Sequence, residues 1–123
     1  KLIKKNLPIF GICLGHQTIG QSFGANIIKC KEIMHGKVDT IKHYGHPIFK
    51  NIKKEFQATR YHSLIIEKKS LSKNFIITAE TKNKIIMAIA HKKLPIYGLQ
   101  FHPESIGTIS GKIILNNFLN LIK

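Results

Sequence analysis

The chain has 123 residues, 43% of them hydrophobic, and carries 20 Lys and Arg against 6 Asp and Glu, a formal net charge of +14. That length closes one core at the small end for a parallel α/β domain, and the apolar content excludes a disordered or fibrous polymer. The lysines fall in scattered pairs such as Lys4-Lys5, Lys53-Lys54, Lys68-Lys69 and Lys92-Lys93, with no arginine patch and no aromatic ladder between them, which argues against nucleic acid and leaves AT-rich coding as the explanation.

In chain order, residues 8–12, Pro-Ile-Phe-Gly-Ile, form a short apolar run entered through a proline and predict a buried strand. It has no partner before it, so an N-terminal truncation is expected. Residues 15–23 have helical spacing, with Ile19 and Phe23 four apart and Gly24 as the stop. From Ala25 to Phe56 the pattern predicts short strands and loops, including the polar turn His43-Tyr44-Gly45-His46-Pro47. Three apolar, β-branched runs follow at 75–77, 85–90 and 95–101, a hairpin leading into another strand. Ile114, Phe118, Leu121 and Ile122 recur at helical spacing after Thr108 or Ser110 as N-cap. The alternation predicts one domain, an α/β fold with an open, mainly parallel sheet and flanking helices.

Two motifs carry chemistry. Gly11-Ile12-Cys13-Leu14-Gly15 sets a nucleophile between glycines on a strand-to-helix turn, where the glycines admit close backbone and a helix N-terminus favours thiolate. The amide of Leu14 is then a candidate oxyanion donor. The strand ending at Phe101 delivers His102-Pro103-Glu104, and residues two apart in extended backbone share a side, so Glu104 can orient the His102 ring. Cys30 lacks such context and reads as a buried small hydrophobe. Two distant cysteines without a CxxC pair support neither zinc ribbon nor disulfide scaffold, and fit a reducing compartment such as cytoplasm, or plastid stroma for an organelle-encoded chain. His43 and His46 lack a third ligand and read as a polar turn, so no metal is expected. No apolar run reaches bilayer length, and residues 1–6 lack signal-peptide order, so no membrane is expected either.

Taken together, Gly11-Ile12-Cys13-Leu14-Gly15-His16-Gln17 and Gln100-Phe101-His102-Pro103-Glu104 closely resemble the class I, triad-type glutamine amidotransferases, with their flavodoxin-like fold, from about Pro8 to the C-terminus. Met34-His35-Gly36-Lys37 and Arg60-Tyr61-His62-Ser63-Leu64 resemble the branch serving chorismate-using synthases, anthranilate synthase component II (tryptophan biosynthesis) and its aminodeoxychorismate synthase counterpart (folate). The resemblance implies glutamine hydrolysis with Cys13 as nucleophile, His102 as acid and base and Glu104 as orienter. It also implies Gln17, Ser63 and Leu64 as glutamine contacts, with His35, Gly36 and Lys37 near an interface with the synthase partner, component I, in a hetero-oligomer. No cofactor is implied. The family's glycine-rich loop, which supplies a second oxyanion amide, has no match upstream of Cys13, and its loss costs about 100- to 1,000-fold in rate.

Two other classes stay open at this level. One is a catalytically dead regulatory or scaffolding subunit of the same fold. The other is a stand-alone hydrolase or peptidase acting on γ-glutamyl compounds without a partner.

Overall fold

The computed structural model describes residues 7–105, 108 and 110–122, with the side chains of residues 32–35 outside the description. The strands are β1 (Ile9–Ile12), β2 (Ile27–His43), β3 (Glu55–Ile66), β4 (Phe75–Thr81), β5 (Ile86–His91) and β6 (Ile96–Leu99), and the helices α1 (Leu14–Ser22) and α2 (Gly111–Leu121). One sheet contains all six strands in the order β1-β6-β5-β4-β2-β3. It is open and flanked by helices, as an α/β chain requires, but it is mixed rather than mainly parallel. Among the described residues only β1 and β6 pair in parallel, and the other four pairings are antiparallel. Connection length is the reason: four residues join β4 to β5 and four join β5 to β6, which suits a hairpin and is far too short for a parallel crossover.

The two faces of the sheet carry separate cores. Ile19 of α1 packs with Ile66, Phe75, Ile86, Ile89 and Ile96. Opposite, Ile114 of α2 packs with Ile41, Phe56, Met87, Leu99 and Phe101, joined by Ile48 and Phe49 from a single 3-10 turn, Pro47–Phe49. Strand β5, buried along most of its length, contributes to both. Helix α1 stops as its sequence predicts: Gly24 takes φ 97, the Ala25 amide reaches back to Gly20 O at 3.0 Å, and the Gly24 amide donates to Gln21 O at 3.0 Å.

Between Ala25 and Phe56 the structure differs from expectation. In place of short strands and loops, β2 runs for 17 residues and pairs with the 12 of β3. The register breaks twice, between Lys29 and Met34 and between His35 and Lys37. Each break adds residues to β2 alone, so polar and apolar side chains lose the period of two by which a strand is recognised.

Helix α2 is anchored by polar as well as apolar contacts. Asn117 is buried and donates through Nδ2 to Ile48 O and Lys50 O, both at 2.9 Å, while Phe118 stacks on Phe10 with centroids 4.5 Å apart. Ser110 holds the cap position without a side-chain bond, whereas the Thr108 hydroxyl accepts the Thr59 amide at 2.9 Å. The helix begins hard against the loop after β6: a Cβ on Gly111 would lie 1.6 Å from the Pro103 carbonyl oxygen. Gly111→Ala is therefore expected to destabilise the fold by about 1–3 kcal/mol. Urea unfolding measures it, and an unchanged midpoint would show that helix and loop are not in contact.

Candidate functional site

Strand β1 ends in a strained turn. Cys13 has φ 54 and ψ −102, a conformation that costs a non-glycine residue about 1–3 kcal/mol and survives only where its surroundings enforce it. Two contacts do so. The Cys13 amide donates to Leu99 O at 2.7 Å, tying the end of β1 to the end of β6. Gly11 lets the turn fold back, since a Cβ there would lie 2.6 Å from the Gly15 carbonyl carbon and 2.7 Å from Ile19 Cδ1. Gly15 itself meets nothing within 4 Å, so of the two flanking glycines only Gly11 is required by close packing.

The half-buried thiol of Cys13 donates to Tyr61 O at 3.5 Å and accepts from Gln100 Nε2 at 3.6 Å. Burial pushes the thiol above its ordinary value. The Leu14 amide and Gln100 oppose that shift, and the Glu104 carboxylate adds to it. The amide at the helix N-terminus favours the thiolate, as the sequence predicts, but desolvation outweighs it and the net shift is upward.

His102 follows β6 with its amide on Thr59 O at 3.3 Å. Its Nδ1 lies 2.7 Å from Glu104 Oε2, so Nδ1–H donates to the carboxylate, and Nε2 makes no hydrogen bond among the described residues. Burial raises the Glu104 carboxyl, but its own backbone amide and the His102 ring outweigh that and hold it below the usual range. The His102 and Tyr61 rings meet edge to face with centroids 5.3 Å apart. Cys13 and His102 therefore both touch Tyr61, one through the carbonyl and one through the ring, although no hydrogen bond joins them among the described residues.

The other candidates divide. Gln17 is buried, not an exposed helix residue, and its Nε2 donates to Leu64 O at 2.9 Å and Gln100 Oε1 at 3.1 Å. Ser63 and Leu64 are exposed, at the first register break, where residues 30–33 of β2 stand opposite Ser63 alone. The second break is at Gly36, which has φ 71 and whose Cβ would lie 2.9 Å from the Tyr61 ring, so glycine is required there. Gly36 and exposed Lys37 thus stand beside the cluster; His35 pairs with Tyr61 in the ladder, but its side chain lies outside the described residues. His43 and His46 spend ring nitrogens on the backbone of Ile52, Gly45 and Ile48, as a polar turn does. No group of three His, Cys, Asp or Glu among the described residues could hold a metal. An apolar groove of about 750 Å³ lies between β1 and α1, lined by Phe10, Leu14 and Ile19, apart from the Cys13 thiol and His102.

Comparison with known proteins matches residues 1–122 to the family model of glutamine amidotransferase class-I. The chain belongs to this family. It is 50% identical over 95% of its length to anthranilate synthase component 2 of Azospirillum brasilense, and 52% identical over 92% to aminodeoxychorismate/anthranilate synthase component 2 of Bacillus subtilis. It spans 60% and 58% of those relatives, about six-tenths of their length. A crystal structure of a Thermoplasma acidophilum protein assigned to GMP synthase superposes with a TM-score of 0.87 at 32% identity, over 94% of this chain and 57% of that one. A Thermotoga maritima glutamine amidotransferase superposes with a TM-score of 0.74 at 18% identity, covering 98% and 48%, a likeness of fold.

Sequence reasoning on this amidotransferase chain gave no role to several residues of the cluster. Gln100 touches the thiol from the bend that follows β6, which ends at Leu99, so the contact does not come from the strand alternation expected of residues 100–104. His16 is fully buried and pushed down to about 3 by burial, filling the space left by Gly98, whose Cβ would lie 2.6 Å from its Nδ1. Arg60, almost fully buried, had no signal beyond its place in a motif. A raised Cys13 thiol makes a direct expectation: alkylation of Cys13 by iodoacetamide keeps accelerating as pH passes 9.0, the ordinary value. A rate that levels off below that pH would show the amide donors prevailing over burial.

Proposed function

We propose that the chain is the glutaminase centre of a glutamine amidotransferase that passes ammonia to a chorismate-using synthase. The observation that carries the reading is the 2.7 Å pairing of His102 Nδ1 with Glu104, beside a thiol on a strained turn at the same end of the sheet. In the resting state burial keeps Cys13 protonated, so attack needs a base, and Nε2 of His102 is suited to take the proton. Cys13 Sγ then bonds to the side-chain carbonyl carbon of glutamine, and the oxygen takes the negative charge toward the Leu14 amide. As the carbonyl re-forms, the C–N bond breaks and the nitrogen leaves as ammonia with the proton from Nε2. Glu104 stabilises the imidazolium in between. Water, deprotonated by the same nitrogen, hydrolyses the γ-glutamyl thioester to glutamate and frees the thiol. Gln17, Ser63 and Leu64 are proposed to bind the rest of the substrate.

The names of the Azospirillum and Bacillus relatives support a component I synthase as partner, in a hetero-oligomer, and the motif at residues 34–37 supports His35, Gly36 and Lys37 as residues near its interface. Anthranilate is the favoured product. The Bacillus subtilis relative's name also includes aminodeoxychorismate, which makes folate synthesis the second reading. Two free thiols suit a reducing compartment, cytoplasm or plastid stroma. No helix among the described residues is long and apolar enough to cross a membrane.

In the complex with its synthase, Cys13→Ala is expected to abolish glutamine-dependent product formation and to leave ammonia-dependent formation intact. Equal loss of both would sink the proposal.

A further inference from the structure

Arg60 is 1% exposed and lies on β3 between two polar neighbours. Its Nη1 donates to Asp39 Oδ2 at 2.6 Å, and its Nε donates to His62 Nε2 at 3.0 Å. A guanidinium has donors only. The His62 nitrogen that faces it must therefore present a lone pair, and the proton of the neutral ring must sit on Nδ1. That nitrogen lies 3.2 Å from Leu64 O, an acceptor, so the second bond requires the same tautomer as the first. Leu64 O also takes the Gln17 amide at 2.9 Å, so side chains from β3 and α1 converge on one carbonyl.

We infer that Arg60 is a positioning residue for the glutamine pocket, acting through His62: it fixes the Nδ1–H tautomer, whose bond to Leu64 O sets the orientation of the Ser63-Leu64 backbone. The register break makes such a device necessary. The ladder pairs Leu64 with Lys29 and His62 with Met34 but leaves Ser63 between them opposite residues 30–33, so strand pairing does not fix the Ser63 peptide at the place where the pocket needs it fixed. Side-chain hydrogen bonds from β3 and α1 take its place. Protonating His62 would turn Nε2 into a donor facing the Arg60 donor, and the ring is held down to about 4, by burial first and the Arg60 charge second. The network also continues toward the thiol, because Gln17 donates to Gln100 and Gln100 to Cys13.

The consequence for substrate rests on the amidotransferase reading; the tautomer does not, and the experiment separates them. In ¹⁵N-edited spectra of the full chain, His62 is expected to show a protonated Nδ1 and a bare Nε2; an Nε2–H ring or an imidazolium at neutral pH would overturn the inference. Alkylation of Cys13 by a diazo-ketone glutamine mimic is followed in parallel. Arg60→Met should raise the half-saturating concentration about tenfold, the fold-change equal to one net hydrogen bond, with the limiting rate nearly unchanged. If that variant fails to fold, a pair at His62 decides: His62→Asn, which keeps an N–H near the Nδ1 position, should stay close to wild type, whereas His62→Leu should show the tenfold shift. Wild-type labelling with unshifted variants overturns the positioning role and leaves the amidotransferase reading standing. A folded wild type with the Nδ1–H tautomer and no label at Cys13 overturns the amidotransferase reading instead.

Discussion

Strands β1 and β6 run parallel and in register, Gly11 against Gly98 and Ile12 against Leu99, and the Cys13 amide extends the ladder by one more bond to Leu99 O. That alignment brings together two segments nearly ninety residues apart in the chain. It makes β1 stop where β6 stops, so the residue after one strand and the residues after the other emerge side by side, at the C-terminal ends of parallel strands where open α/β sheets gather their chemistry. It also enforces the backbone of Cys13, which has no reason of its own to adopt φ 54. The glycines serve this pairing: Gly11 admits the returning helix and Gly98 admits the His16 ring.

Around that axis the chain accepts several unfavourable features in close succession. A strained residue, a desolvated thiol, a fully buried neutral imidazole and a nearly fully buried guanidinium all lie in the turn after β1, the first turn of α1 and β3. Each opposes folding by an amount comparable to a good core contact. Two apolar cores, one on each face of the sheet, offset them. The guanidinium and the thiol are hydrogen-bonded, in a chain from Asp39 through Arg60, His62, Leu64, Gln17 and Gln100 to Cys13 that links the long ribbon of β2 and β3 to the Cys13 turn, whereas neither ring nitrogen of His16 has a hydrogen-bond partner among the described residues.

What could be read beforehand follows the range of the interactions concerned. The strand before Cys13, the helix after it, its glycine stop and the strand before His102 are local, governed by periodicity and backbone preference, and they lie where the pattern puts them. The His102–Glu104 pairing is local too, two residues apart. Between Ala25 and Phe56 the long strand is not legible, because β2 and β3 stabilise each other across the ladder and their two register breaks erase the alternation that reveals a strand. The mixed sheet followed from hairpin-length connections that the apolar runs themselves did disclose. The state of the Cys13 thiol depends on how deeply the turn is buried, which no short motif encodes.

Of six carboxylates in the sequence, Asp39, Glu67, Glu80 and Glu104 are engaged with Arg60, Lys69, Lys68 and His102 respectively. Few negative charges remain to neutralise twenty Lys and Arg, so the outer surface carries cations almost without compensation. Such a field draws anionic molecules in from a distance and repels a second copy of itself, and both effects fade once mobile ions shorten its reach to about 10 Å at 0.1 M. Ionic strength therefore sets how fast this molecule meets charged molecules, independently of how well any of them fit.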